Sequence, residues 1–346
     1  MNYTMNNNSP CLFDFATSEL SQDAFIAWLV KWSDDSFSGS VHDFGREFLS
    51  RMLSFAGVKD FCMNHLKIEV FRQYYHIDVF CEINDNKIAL IIEDKVNATQ
   101  HDNQLERYKK AIEQQKKYEQ IVCIYLKTGD QSNYDSEKNA GFTVVNRKNL
   151  LEWFNSEVCK RACHDNKIVD DFVRHIQGIE DLVNGYLTEP LDKWDWNAWK
   201  GFYMALQAEL SDANWDYVAN PAGGFMGLWW GWRKDGDGYA YLQLEEAKAC
   251  FKFEVSDAAK ERKSDIKYDW NQRILETYNT MREQSRFNVE VVRPSVLRVG
   301  QWMTVAILKD DYRVADSNGK LNMGATVENL REMEAILEKT CNDQSN

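Results

Sequence analysis

The sequence predicts two domains in series: an α/β sandwich with a mixed sheet over residues 1–188, and an α+β domain with an antiparallel sheet over residues 189–346. Three observations predict this. Two stretches of helical periodicity lead into strand-like runs that then interleave with helices, the order of a layered α/β domain. Composition shifts near Pro190, after which nine of the twelve tryptophans fall. The second half then lays down several short strands, two of them joined by the turn sequence Asp235-Gly236-Asp237-Gly238.

The elements follow in order. Residues 17–33 predict a helix, with Thr17 or Ser18 as cap and Phe25, Trp28, Leu29 and Trp32 on one face. Residues 41–56 predict a second, with Phe44, Phe48, Leu49, Met52 and Leu53 on its apolar side. Residues 66–71 read as a strand. Residues 75–83 and 87–95 read as a β-hairpin turned at Asn84-Asp85-Asn86. A helix over about 100–118, a buried strand over 120–127, a polar loop over 129–141 and a short strand over 142–146 follow. Helices are expected to start at Leu150 and to span 165–187.

In the second half, residues 192–212 predict a helix, followed by strands at 215–219, 226–233, 238–246 and 250–255. A long helix over 265–284, strands at 289–292 and 302–308, and a helix over 326–340 complete it. Two tryptophan clusters, Trp194-x-Trp196-x-x-Trp199 and Trp229-Trp230-Gly231-Trp232, read first as core and second as an aromatic platform for stacking bases.

Bulk properties exclude several classes. The chain has no long uncharged apolar run, so no membrane partner is expected. Residues 1–10 lack the basic start and apolar stretch of a signal peptide, and the protein is read as cytoplasmic. Eight scattered cysteines read as reduced thiols; Cys159-x3-Cys163-His164 reads as two thiols on one helix face rather than a zinc site. A net charge of −13 opposes indiscriminate phosphate binding, but the helix near 104–117 carries Arg107, Lys109, Lys110, Lys116 and Lys117 against two glutamates.

The chemistry concentrates on the first hairpin. With its turn near Asp85, Asp78 lies opposite the neighbourhood of Ile92 and Glu93. Glu93 and Lys95, two apart on a strand, share a face, and Asp94 points the other way. Two carboxylates and a lysine at the end of an apolar strand suit a hard cation such as Mg²⁺ or Mn²⁺ beside a phosphodiester, with the lysine near the attacking water. His76 and His101 flank the motif and read as packing or exposure.

The segment HIDVFCEINDNKIALIIEDK resembles the core of the PD-(D/E)XK nuclease superfamily, in which an Asp ending one strand is followed by E-x-K on the next. Ile77 stands where the nominal motif has proline. Gln104 and Tyr108 resemble the Q-x-x-x-Y element of the recombination-type exonuclease branch, and Gly45-Arg46-Glu47 resembles the first-helix glutamate that completes the metal site. Glu19 competes with Glu47 for that role, although its place at a helix start also suits the helix dipole. The first half as a whole resembles bacterial members of the superfamily.

The resemblance implies a restriction-endonuclease-like fold and a Mg²⁺- or Mn²⁺-dependent nuclease acting on nucleic acid, with DNA the expected substrate. It implies Asp78, Glu93 and Glu47 as metal ligands, Lys95 as the group that assists the attacking water, and Gln104 and Tyr108 as orienting residues. The alternative is a catalytically silent protein of the same fold that binds nucleic acid or a protein partner, for example in phage defence. The second domain carries no catalytic signature and is expected to recognise substrate or a partner, or to build a homodimer.

Overall fold

The chain divides into two compact units, Met1–Asp181 and Leu182–Asn346. The computed structural model describes residues 9–59, 61–85, 87–97, 103–220, 223–296 and 298–342.

The first unit opens with helices α1 (Glu19–Lys31) and α2 (Ser40–Phe55) and a three-stranded meander, β1 (Ile68–Tyr74), β2 (Ile77–Ile83) and β3 (Ile88–Lys95). It then alternates through α3 (Gln104–Glu113), β4 (Gln120–Lys127), α4 (Asp135–Asn139), β5 (Thr143–Asn146), α5 (Arg147–Phe154), α6 (Glu157–Asp165) and α7 (Lys167–Val183). The sheet runs β1-β2-β3-β4-β5, antiparallel over its first three strands and parallel over its last three. The predicted α/β sandwich with a mixed sheet is therefore present.

Turn chemistry sets the antiparallel half. Tyr75 and His76 take left-handed backbone, φ 53° and 67°, between β1 and β2. These are turn residues, so the strand predicted from Tyr75 begins at Ile77 and carries Asp78 just inside its start. Asn84 and Asp85 are also left-handed, as short polar side chains tolerate; Asn86 lies outside the described residues.

All eight residues of β3 are buried. Leu90 and Ile92, with Val122, Ile124 and Leu126 of β4, pack in one core with Phe25, Phe48, Leu150 and Phe172. Ala89 and Ile91, with Cys123 and Tyr125, pack under Leu105, Tyr108 and Ile112 of α3. A strand covered on both faces needs no polar alternation, which explains the continuous apolar run. Glu93 and Lys95 share the α3 face by parity, and Asp94 points the opposite way.

Two expectations are corrected. The polar loop over 129–141 contains α4. The single helix over 165–187 starts later and stops earlier: Asn166 is extended and its Oδ1 accepts from Ile168 N at 3.0 Å, so α7 begins at Lys167, and α7 ends at Val183, with a separate short helix beginning after Asn184; α6 before them is capped by Ser156 Oγ, which accepts from Cys159 N at 3.0 Å. The predicted start of α3 at Gln100, and His101, lie outside the described residues.

Asp34 ties α1 to the sheet. Its Oδ2 accepts from Ile68 N at 2.8 Å and Lys31 Nζ at 3.2 Å, and its Oδ1 from Ser36 N at 3.0 Å. Burial alone would raise its pKa, but these donors and the Ser36 hydroxyl outweigh it and hold the carboxyl well below the usual range. Asp34→Asn is expected to lower unfolding free energy by about 2 kcal/mol at neutral pH. Because the folded-state pKa is depressed, that advantage is present above about pH 4 and shrinks as pH falls towards the folded value. Urea unfolding of both proteins from pH 7 to pH 3 measures it, and a gap that does not narrow contradicts it.

The second unit contains α8 (Gly185–Thr188), α9 (Trp196–Glu209), β6 (Asn214–Val218), β7 (Phe225–Asp235), β8 (Gly238–Glu245) and β9 (Lys248–Val255). After these come α10 (Lys263–Gln284), β10 (Val291–Val292), β11 (Trp302–Leu308) and α11 (Met323–Asn342). Its sheet, in the order β10-β11-β9-β8-β7-β6, is antiparallel throughout. Residues of α9, α10 and α11 pack with Leu228, Trp230, Leu242, Phe251 and Phe253 into one core. The α+β expectation thus holds, and Trp199, Trp215, Trp230 and Trp270 are core residues.

Candidate metal-dependent active site

The register Val79 against Ile92 brings Asp78 beside the end of β3. Asp78 Oδ2 accepts from Asp94 N at 3.1 Å and from Lys95 Nζ at 3.4 Å. Lys95 Nζ also donates to Glu93 Oε1 at 2.6 Å and to the Asp94 carbonyl at 3.0 Å. Gln73 Nε2 donates to Asp78 Oδ1 at 3.2 Å. One turn of α3 closes the cluster: Gln104 Nε2 donates to Glu93 Oε1 at 3.0 Å and to the Tyr108 hydroxyl at 2.5 Å. Five of the six residues singled out from sequence therefore meet at the C-terminal end of β3.

Burial shapes the electrostatics. Glu93 is fully buried, and burial, with the charge of Asp78 second, pushes its pKa up to about 8. Burial works against the Lys95 charge, but Glu93, Asp78 and Glu19 more than offset it, and its pKa stands above the ordinary lysine value. The ammonium lies between two carboxylate side chains in a poorly hydrated place, where a charge persists only with close counter-charges.

Residues 12–177 match the family model described as the PD-(D/E)XK nuclease superfamily. The first unit belongs to that superfamily. Comparison with curated proteins and with solved structures gave no match. Residues 178–346 lie outside the family match. The superfamily consists generally of nucleases, which typically use divalent metal ions.

In this superfamily member the first-helix glutamate needs correction. Glu47 does not join the cluster: its Oε1 accepts from Arg51 Nη2 at 2.7 Å and its Oε2 from Ser156 Oγ at 2.7 Å, which ties α2 to the start of α6. The reason is tertiary. Helix α1, not α2, packs on β1, β2 and β3, whereas α2 packs on α6. Glu19, the competing residue, is the glutamate that reaches the end of β3, its Oε1 accepting from Val96 N at 2.9 Å.

Three polar residues escaped sequence reasoning because only packing assembles them. Gln22 Nε2 donates to Asp94 Oδ1 at 2.5 Å, and Gln22 Oε1 accepts from Thr128 Oγ1 at 2.9 Å. Asp23 lies against Asp94; burial and the charge of Asp78 push it up to about 6, and burial with the charge of Asp23 raises Asp94 well above the carboxylate range. Two carboxyl groups this close in a buried place on the back of β3 oppose each other's ionisation. Lys127 is fully buried and pairs in register with Lys95 on the neighbouring strand. The parallel β3–β4 ladder is the signal that could have found it, since strand 120–127 was legible.

Among the described residues no group of three or more His, Cys, Asp or Glu stands at metal-binding spacing. The donor set nevertheless fits a hard cation. Glu93 Oε2 is buried and receives no hydrogen bond, while Oε1 is shared by Lys95 and Gln104. An orphaned carboxylate oxygen beside a second carboxylate matches the oxygen ligands that Mg²⁺ or Mn²⁺ prefers. Cys159 and Cys163, with their sulfurs 3.9 Å apart, are free thiols on α6, as expected for two cysteines one turn apart.

Proposed function

We propose that the first unit is a divalent-metal-dependent nuclease that hydrolyses phosphodiester bonds of nucleic acid, with DNA as its substrate and the cytoplasm as its compartment. One observation carries the reading. Asp78, Glu93, Lys95, Gln104 and Tyr108, far apart in sequence, converge on one sheet face with a buried carboxylate oxygen left unpartnered.

Asp78 and Glu93 are the residues that would hold the metal. When bound, Mg²⁺ or Mn²⁺ would draw electron density from the phosphate and lower the pKa of a water. Lys95, freed from part of its contact with the two carboxylates, orients the attacking water and sets its positive charge against the phosphate. Gln104 holds the Glu93 carboxylate in place and Tyr108 anchors Gln104. Arg107 and Lys110 are exposed on α3, the helix whose buried side carries Gln104 and Tyr108, and give a backbone phosphate a favourable field. The eight free cysteines suit a reducing compartment.

A second reading is favoured by the Lys95 contacts and the net charge of −13: a nuclease fold that binds nucleic acid or a protein partner without cleaving. Incubation of the full chain with single- and double-stranded DNA and RNA, with Mg²⁺, with Mn²⁺ and with EDTA, separates the two. Cleavage that needs metal and stops with EDTA is expected. Glu19→Gln is expected to slow it about 10- to 100-fold, as loss of a supporting residue does, and Glu47→Gln by less than about threefold. No cleavage in any condition sinks the nuclease, and the reverse ranking of the two glutamates sinks the assignment of Glu19.

A further inference from the structure

The face of the six-stranded sheet turned away from α9 and α11 lines a cleft of about 850 Å³ in the second unit. That is the size of clefts that take small ligands. A bulge builds its aromatic wall. Gly231 takes left-handed backbone at φ 66°, and the pairing with β8 shifts between Trp230 and Arg233. An unbroken strand would put Trp229 and Trp232 on opposite faces; the extra residue brings both into the cleft while Trp230 stays in the core. Trp232 stacks on Tyr241 with centroids 4.1 Å apart and planes 11° apart, yet stays 37% exposed. Trp302 of β11 lines the same cleft and is 61% exposed.

The polar lining is cationic in a chain whose net charge is −13. Lys248 and Lys252 share one carboxylate, Glu245, at 2.9 Å and 3.4 Å, so the trio keeps positive charge. Arg298 and the buried Lys267 line the cleft as well. Exposed indole faces beside surplus cations are what a stacked base and its phosphate need. An apolar peptide would use the rings but not the lysines.

We propose that this cleft binds a nucleotide unit of single-stranded nucleic acid, its base on Trp232 and Trp302 and its phosphate towards Lys248, Lys252 and Arg298. The proposal goes beyond the nuclease reading and does not depend on it. The test measures binding of the full chain in EDTA, where metal-dependent cleavage cannot occur. Fluorescence anisotropy with labelled ten-nucleotide single strands of DNA and RNA, the matching duplex, and competition by free mononucleotides give the arms. Single strands are expected to bind more tightly than duplex or mononucleotide, with an affinity that falls as salt rises. Trp232→Ala and Trp302→Ala are each expected to weaken binding at least about fivefold, whereas Trp302→Phe retains most of it. Tyr268→Ala, an exposed aromatic outside the lining, should leave it unchanged. Equal affinity for a mononucleotide overturns the strand in favour of a free nucleotide. Absence of binding, or binding indifferent to both tryptophan changes, overturns the site. Binding in EDTA as expected, together with no cleavage when Mg²⁺ or Mn²⁺ is supplied, would count against the first unit's nuclease reading only.

Discussion

Lys95→Ala is expected to reduce phosphodiester cleavage by about 10² to 10³-fold, the usual effect of removing one charged or hydrogen-bonding group aimed at the reacting phosphate. The same change should reveal what the lysine does when no metal is bound. Its Nζ contacts Glu93, which is fully buried, and Asp78 beside it. Removing one partner from a buried ion pair typically costs about 3 kcal/mol or more. The variant should therefore melt on the order of 10 °C lower in EDTA. Added Mn²⁺ or Mg²⁺ should raise its melting temperature more than that of the wild-type protein, because the cation then supplies the missing counter-charge. Thermal melts with and without metal, run beside the cleavage assay, read both effects. Full cleavage by the variant would exclude a role for Lys95 in the reaction. A variant that metal stabilises no more than wild type would exclude Asp78 and Glu93 as ligands.

Arg147→Ala should produce the largest loss of stability in the first unit, about 3–5 kcal/mol. The guanidinium is almost wholly buried at the start of α5. Its Nε donates to Glu180 Oε2 at 2.7 Å, and its Nη1 to the Thr128 carbonyl at 2.8 Å and Asp130 Oδ2 at 3.0 Å. Its removal leaves two carboxylates facing a low-dielectric interior. Arg147→Lys should recover only part of the loss, since one ammonium cannot reproduce the planar fork across three acceptors. Urea unfolding of the three proteins tests this, and a loss below about 1 kcal/mol for the alanine variant refutes it. The effect should extend to the site, because Thr128 also supports Gln22, which holds Asp94 behind β3. Gly129, next in the chain, runs so close to β3 that a Cβ there would lie 1.9 Å from the Val96 carbonyl.

Much of the site was legible before the structure because its parts are set by local periods. Asp78, Glu93 and Lys95 follow from a hairpin whose turn residues set the register; Gln104 and Tyr108 were marked by the resemblance to the Q-x-x-x-Y element, and the four-residue step of a helix lets both face one way. Glu47 misled for the opposite reason. Both opening helices carry a glutamate near a good apolar face, and nothing local says which helix lies on the sheet. The tryptophans of β7 show the same limit in the second unit. Alternation alone would have split Trp229 from Trp232, and the bulge at Gly231 depends on pairing with a strand that comes later in the chain.

By itself, then, the sequence determined the α/β order of the first unit, the mixed sheet, the antiparallel second unit and the convergence of Asp78, Glu93 and Lys95, to which the family resemblance added Gln104 and Tyr108. These rest on repeats of two and of three to four residues and on short turns. The tertiary structure alone decided that Glu19 rather than Glu47 reaches the end of β3, that Asp23 and Asp94 form a buried acid pair, and that three indoles line a cationic cleft. Each of these depends on which surfaces exclude water together, and that is settled between elements far apart in the chain.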